Sequence, residues 1–247
     1  MTTSNPALGK LELMAKTMVS PYDETMTIQG TINKTGILLL LIMLTATWCW
    51  RLSHSVGQGA VMPWLAIGTI GGLIVAVVTM FKANWAGVTA PLYALLEGLV
   101  LGGLSAIFEA RYTGIAFQAV FLTFGTLGVM LFAFKTGMIR VTDKLRTGIV
   151  AATGAIFLVY MVSFVLGLFG VHIPQIFGSG IIGIAFSVVV VIIAALNLVL
   201  DFDMIQGAVY NRQPKYMEWY GAFALMVTLI WLYIEIIRLL AKLKNER

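Results

Sequence analysis

The sequence predicts an all-α membrane protein of seven transmembrane helices. Three observations predict it. Residues are 60% hydrophobic and only 11% charged, with a mean hydropathy of +0.94, whereas a soluble domain carries roughly 25% charged residues. Seven apolar runs follow one another after Lys34, each near the roughly 20 residues that a spanning helix needs. The connections between them are too short to fold alone, so residues 34–247 form one polytopic domain.

Residues 1–33 are polar and mixed in charge, with Pro6 and Pro21. No positive stretch leads into an apolar one, so the segment reads as a cytoplasmic arm rather than a cleaved signal peptide. An interfacial helix is expected around Leu8–Val19. Span one, Thr35–Trp50, is short, and Leu52 together with Gly36 and Ile37 lets it cross with modest bilayer thinning. Span two, Ala60–Phe81, carries Gly68, Gly71 and Gly72. Span three, Val88–Phe108, places Ala94, Gly98, Gly102 and Ala106 at four-residue spacing, a stripe that lets another backbone approach closely. Span four, Ile115–Phe134, holds Gly125 and Gly128. Spans five to seven are Ile149–Val171, Gly178–Leu200 and Glu218–Lys242. Trp48, Trp50, Trp64, Trp85, Trp219 and Tyr112 lie near span ends, as interface-anchoring aromatics do. Trp231 lies inside its span and is expected to pack against a neighbour.

Orientation follows from Lys and Arg. With the N-terminus inside, ten of the 16 basic residues face the cytoplasm, led by Lys135, Arg140, Lys144 and Arg146 between spans four and five. The basic tail from Lys242 to Arg247 opposes this arrangement. Seven full spans then place the C-terminus outside. The net charge of +5 suits anionic lipid, and nucleic acid is not an expected partner. Cys49 is the one cysteine, so an intrachain disulfide is excluded. His54 and His172 fall in loops on one side.

Carboxylates inside apolar runs carry the functional signal, because such groups are costly in lipid and by default mark an ion or proton path. Asp201 closes the run of span six and Asp203 follows it. Asn197 stands one turn before Asp201 on the same helical face. Asp203 reads as a helix end in the headgroup region. Glu97 lies about nine residues into span three, at a depth where it could face Asp201. Two carboxylates within a few ångströms cannot both ionise freely. Protonated, such a pair holds helices together; deprotonated, it repels and accepts a hard cation such as Ca²⁺ through oxygen ligands. Asp201 and Glu97 are thus the candidate Ca²⁺ contacts. Glu235, in span seven, has Arg238 three residues on, a spacing that permits an ion pair on one face.

Several ordered stretches are familiar. "GTINKTGILLLL", "APLYALLEGLVLGGLSAIFE", "ALNLVLDFDMI" and "EWYGAFALMVTLIWLYIEIIRLL" make the chain resemble the Bax inhibitor-1 superfamily, and within it the bacterial branch, from about Gly30 to Leu243. The resemblance implies six helices around a central span and a pH-sensitive Ca²⁺ leak. In the family, an acid ending span six pairs with an acid in span seven, and a basic residue at the end of span two contacts the pair. Asp201 matches the first acid. An ungapped match puts Thr228 where the second acid is expected, and a shift of seven residues puts Glu235 there. Lys82 falls near the basic position. Glu97 is a further candidate for the missing carboxylate, moving the pair to spans six and three.

Two functions follow from the resemblance. One is a passive, proton-gated Ca²⁺ leak centred on Asp201 in a bacterial inner membrane. The other is a non-conducting stress or survival modulator that binds other membrane proteins, such as a membrane-anchored AAA protease, with the polar arm as its handle. Enzyme chemistry lacks an inventory. A zinc hydrolase needs about three clustered ligands, and the two histidines lie in loops away from Asp201. A retinal protein needs a lysine in the middle of span seven, where Lys242 is at the end. A diaspartyl protease needs a second intramembrane Asp. No cofactor is expected, with Ca²⁺ as cargo.

Overall fold

The structure is a computed structural model and describes residues 24–170 and 178–246. Seven long helices succeed one another in it: α1 (Ile28–Val56), α2 (Met62–Phe81), α3 (Ala86–Arg111), α4 (Ile115–Lys135), α5 (Asp143–Leu168), α6 (Ile181–Tyr210) and α7 (Met217–Asn245). All seven are long and apolar enough to cross a membrane, so the chain is an integral, multi-pass membrane protein. Alternate helices begin on opposite faces of the bundle. The N-side carries the start of α1, and the C-side carries the end of α7.

Four boundaries move outward from the apolar runs. α1 begins at Ile28 rather than Thr35, because Thr27 caps it by accepting a hydrogen bond from the Gly30 amide at 2.9 Å. Residues 28–33, expected in the polar arm, are therefore helical. α5 begins at Asp143 behind a Thr142 cap. α6 runs nine residues past Asp201 to Tyr210, so neither Asp201 nor Asp203 ends a helix. α7 continues to Asn245. Polar residues extend a helix readily in the headgroup zone, and hydropathy alone stops short of them. The helix expected at Leu8–Val19 lies outside the described residues, as does His172.

α7 is the central helix. Over half of its apolar window is buried (56%), against 11% for α5, and it packs on α1, α3, α4 and α6. Leu232, Met226 and Ile237 are fully enclosed, and Trp231 packs against the core as expected. α2 leans on α3, and α5 leans on α6. The contact face of α5 repeats every seven residues: Arg146, Thr153 and Tyr160 reach α6 or α7 through polar side chains, and Ile149 and Ile156 are its buried apolar residues.

The glycine stripe of α3 seats two neighbours. A Cβ on Gly98 would lie 2.5 Å from the Ile42 carbonyl oxygen, and one on Gly102 would lie 2.4 Å from that of Ala46, both on α1. On the α2 side, Gly68 abuts the Leu96 carbonyl. Gly125 and Gly128 of α4 meet nothing, so they seat no helix among the described residues. Because the Gly102 contact is backbone against backbone, Gly102→Leu is expected to force α1 and α3 apart and destabilise the bundle by about 1–3 kcal/mol. Thermal unfolding in detergent checks this; Gly125→Leu should leave the midpoint unchanged.

Candidate functional site

Asp201 sits about 14 Å from the N-side end of α6, at 1.5 Å per residue. Thr228 lies at a matching depth, about 16 Å from the start of α7. The two helices pack together, and Thr228 is the side chain that interacts with the Asp201 carboxyl. The Thr228 hydroxyl also faces the Ala224 carbonyl at 3.4 Å. Asp201 Oδ2 is buried and has no hydrogen-bond partner among the described residues. A buried carboxyl oxygen without a donor is costly and rare, which singles this atom out.

Asp201 lines a cavity of about 880 Å³ that opens on the N-side between α5 and α6. Asn197, Asp203 and Arg146 line the same cavity. Arg146 Nη2 bonds Asp203 Oδ2 at 2.5 Å, clasping α5 to α6 near the mouth. Asp203 is thus an ion-pair partner on the cavity wall. Asn197 donates to Thr153 Oγ1 at 2.8 Å and to the Ile193 carbonyl at 2.9 Å. Its amide is turned to α5, so it does not stack on the Asp201 carboxyl as the one-turn spacing suggested.

Glu97 is not brought to Asp201. Its carboxylate lies against Gly72 of α2, close enough that a Cβ there would be 2.7 Å from Oε1. Tyr93 stands one turn earlier on α3 beside Glu97, whereas the Asp201 carboxyl interacts with Thr228. The physical reason is lateral: α3 is wedged between α1 and α2, and α7 stands between it and α6. The expected Ca²⁺ contact from Asp201 and Glu97 together is therefore not formed, and among the described residues no three acids, His or Cys cluster as metal ligands. Lys82 does not reach Asp201 either; its ammonium lies 5.4 Å from the centre of the Trp85 ring.

Glu235 belongs to a second cavity, of about 1150 Å³, on the C-side. It is 2% exposed. Tyr160 donates to its Oε1 at 2.9 Å, and Arg238 pairs with the same oxygen at 3.4 Å, so the expected pair three residues apart is formed. Thr228 and Glu235 are separated by about 10 Å along α7. Ala194 and Leu198 of α6 and Leu232 of α7, all fully enclosed, form an apolar layer at depths between them.

The most elaborate charged contact was not among the candidates. Glu218, fully buried, pairs with Lys34 and lies 3.4 Å from Lys215 Nζ. It also accepts from the Thr27 amide at 2.9 Å and the Thr27 hydroxyl at 2.8 Å. Beside it the Met26 amide donates to the Gln213 carbonyl at 2.8 Å and Lys215 to that of Glu24 at 3.1 Å. The start of α1 is thereby tied to the α6–α7 connection. Its sequence signal was an acid in the first turn of the last span and a lysine just before the first span, both easily taken for headgroup residues.

A protein-family model described as Bax inhibitor 1 like matches residues 5–245. The chain belongs to that family. No curated protein and no solved structure matches it. In this Bax inhibitor 1-like protein the span-six acid therefore faces a hydroxyl, Thr228, at the depth where an acid was expected, and Glu235 lies two turns deeper toward the C-side.

Proposed function

We propose that this Bax inhibitor 1-like protein is a pH-sensitive passive Ca²⁺ leak, with Asp201 holding in turn the proton and the ion, in a bacterial inner membrane with the N-side cytoplasmic. The observation that carries the reading is the buried, unpartnered Asp201 Oδ2 at the wall of a cavity open to one face. With a proton on it, the carboxyl is neutral and the Thr228 hydroxyl suffices as a neighbour. Without the proton, a charge in low dielectric demands a counter-ion, and a hard cation entering by the N-side cavity supplies it. In the conformation described, the enclosed apolar layer of Ala194, Leu198 and Leu232 closes the path between the two cavities. Opening then falls to α5, which walls the N-side cavity, donates Tyr160 to the C-side one and buries little apolar surface of its own.

The test is Ca²⁺ uptake by proteoliposomes that hold a fluorescent indicator, followed between about pH 6 and 8. Flux should rise with pH as the proton leaves the site. Glu97→Gln should leave the profile within about twofold of wild type, because Glu97 faces α2. Flux no greater than that of empty liposomes at any pH, from folded protein, overturns the leak and favours a binding protein.

A further inference from the structure

The C-side cavity has a chemistry of its own. Arg111 ends α3, and Arg238 and Lys242 lie one turn apart on α7; all three line the same space. Among the described residues Glu235 is the one acid in the lining, and it is already engaged by Tyr160 and Arg238. Three cations against one carboxylate leave an excess of positive charge. Lys242, Arg238 and Glu235 are near enough to act on one another electrostatically. Arg111 is exposed, with no ion pair or hydrogen bond among the described residues. The apolar part of the lining comes from Ile107 and Phe108, one turn before Arg111 on α3, and from Phe164 and Phe186; Phe164 is 68% exposed.

The rim is built rather than loose. Lys242 Nζ donates to the Gly183 carbonyl and to Ser187 Oγ, both at 2.9 Å. Asn245 donates to Ser179 Oγ at 2.8 Å and accepts from the Tyr112 hydroxyl at 3.3 Å. Lys244 donates to the Thr113 carbonyl at 3.0 Å. The end of α7 is thus held to the start of α6 and to the α3–α4 connection, which fixes Lys242 and Arg238 relative to Arg111.

We infer that this cavity binds a phosphate-bearing anion, its phosphate among Arg111, Arg238 and Lys242 and its apolar part along the phenylalanine wall. Guanidinium groups match phosphate oxygens in a planar, two-point fashion, and a lysine adds a point charge. Basic pockets between membrane helices near a bilayer face suit phospholipid headgroups. A phosphate monoester in water presents the same headgroup without the chains. The inference does not depend on Ca²⁺ passage.

The test uses the full chain, delipidated in a neutral detergent and examined by native mass spectrometry. Three probes are titrated: phosphatidylglycerol, diacylglycerol with the same chains, and glycerol 3-phosphate. Phosphatidylglycerol should be retained at least about tenfold more strongly than diacylglycerol, a difference of about 1.4 kcal/mol. Arg111→Gln, which disturbs no contact of the fold, and Lys242→Gln should each lower that retention several-fold. Lys144→Gln, a basic residue on the N-side, should not. Binding of glycerol 3-phosphate at comparable strength assigns the site to a soluble anion; binding only with chains assigns it to a lipid. Equal retention of phosphatidylglycerol and diacylglycerol, or wild-type retention by the Arg111 variant, overturns the inference.

Discussion

Asp201→Asn is expected to abolish Ca²⁺ flux above background and to flatten its dependence on pH. The amide keeps the size of the carboxyl and can bond Thr228, but it holds no titrating proton and offers no charge to a cation. A loss of at least about tenfold is the expected scale, since removing a charge-assisted ligand forfeits more than about 1.4 kcal/mol. Fold stability should hold or improve, because a costly buried acid is replaced by a neutral group. Proteoliposome flux and a thermal unfolding curve for the same preparation separate the two effects. Wild-type flux in Asp201→Asn would remove Asp201 from the path. Thr228→Asp offers a complementary reading, since it creates the acid pair that the family pattern prefers at this depth, and it should shift the pH at which flux rises.

Glu218→Ala is expected to cost about 1–3 kcal/mol, because it removes a buried acceptor and leaves the partly exposed Lys34 without its carboxylate. Lys34 would lose its partner, and the Thr27 amide and hydroxyl would lose their acceptor. Gly30→Ala should act on the same contact from the other side, since a Cβ there would lie 2.1 Å from Glu218 Oε1. Both should lower the unfolding midpoint in detergent by a similar amount. The double variant Gly30→Ala with Glu218→Ala should be no worse than either alone, as changes that disable one contact are not additive. Additive losses would show that Gly30 acts through something other than Glu218.

Much of the fold was legible along the chain because hydropathy is a local property. Seven apolar runs gave seven helices, and the spacing of Gly98 and Gly102 gave a seam that α1 occupies. Which helices become neighbours is not local, and that is where expectation and geometry part. Glu97 and Asp201 share a depth, yet α3 faces α1 and α2 while α6 faces α7. Depth can be counted in residues; azimuth cannot. Thr228 as the group facing Asp201 came only from the ungapped family match, and Glu235 proved to belong to the other cavity. Tyr160 and Thr153 were unmarked, because a tyrosine or threonine in an apolar run is unremarkable until its partner is known. Glu218 was hidden for a related reason: a carboxylate in the first turn of a span looks solvated unless the segment that buries it, here residues 24–34, is seen to fold over it.

The clasp between Lys34 and Glu218 also bears on how the protein is made. A polytopic chain enters the membrane from its N-terminus, so α1 is in place long before α7 has been synthesised. Until then Lys34 waits without its carboxylate, and the seat of Thr27 is empty. α7, the central helix, is made after α1, and its first turn carries the group that fastens the start of α1. A nascent chain stalled after α6 would therefore lack its central helix and hold Lys34 without its carboxylate. Closure of the clasp therefore waits on the synthesis of α7.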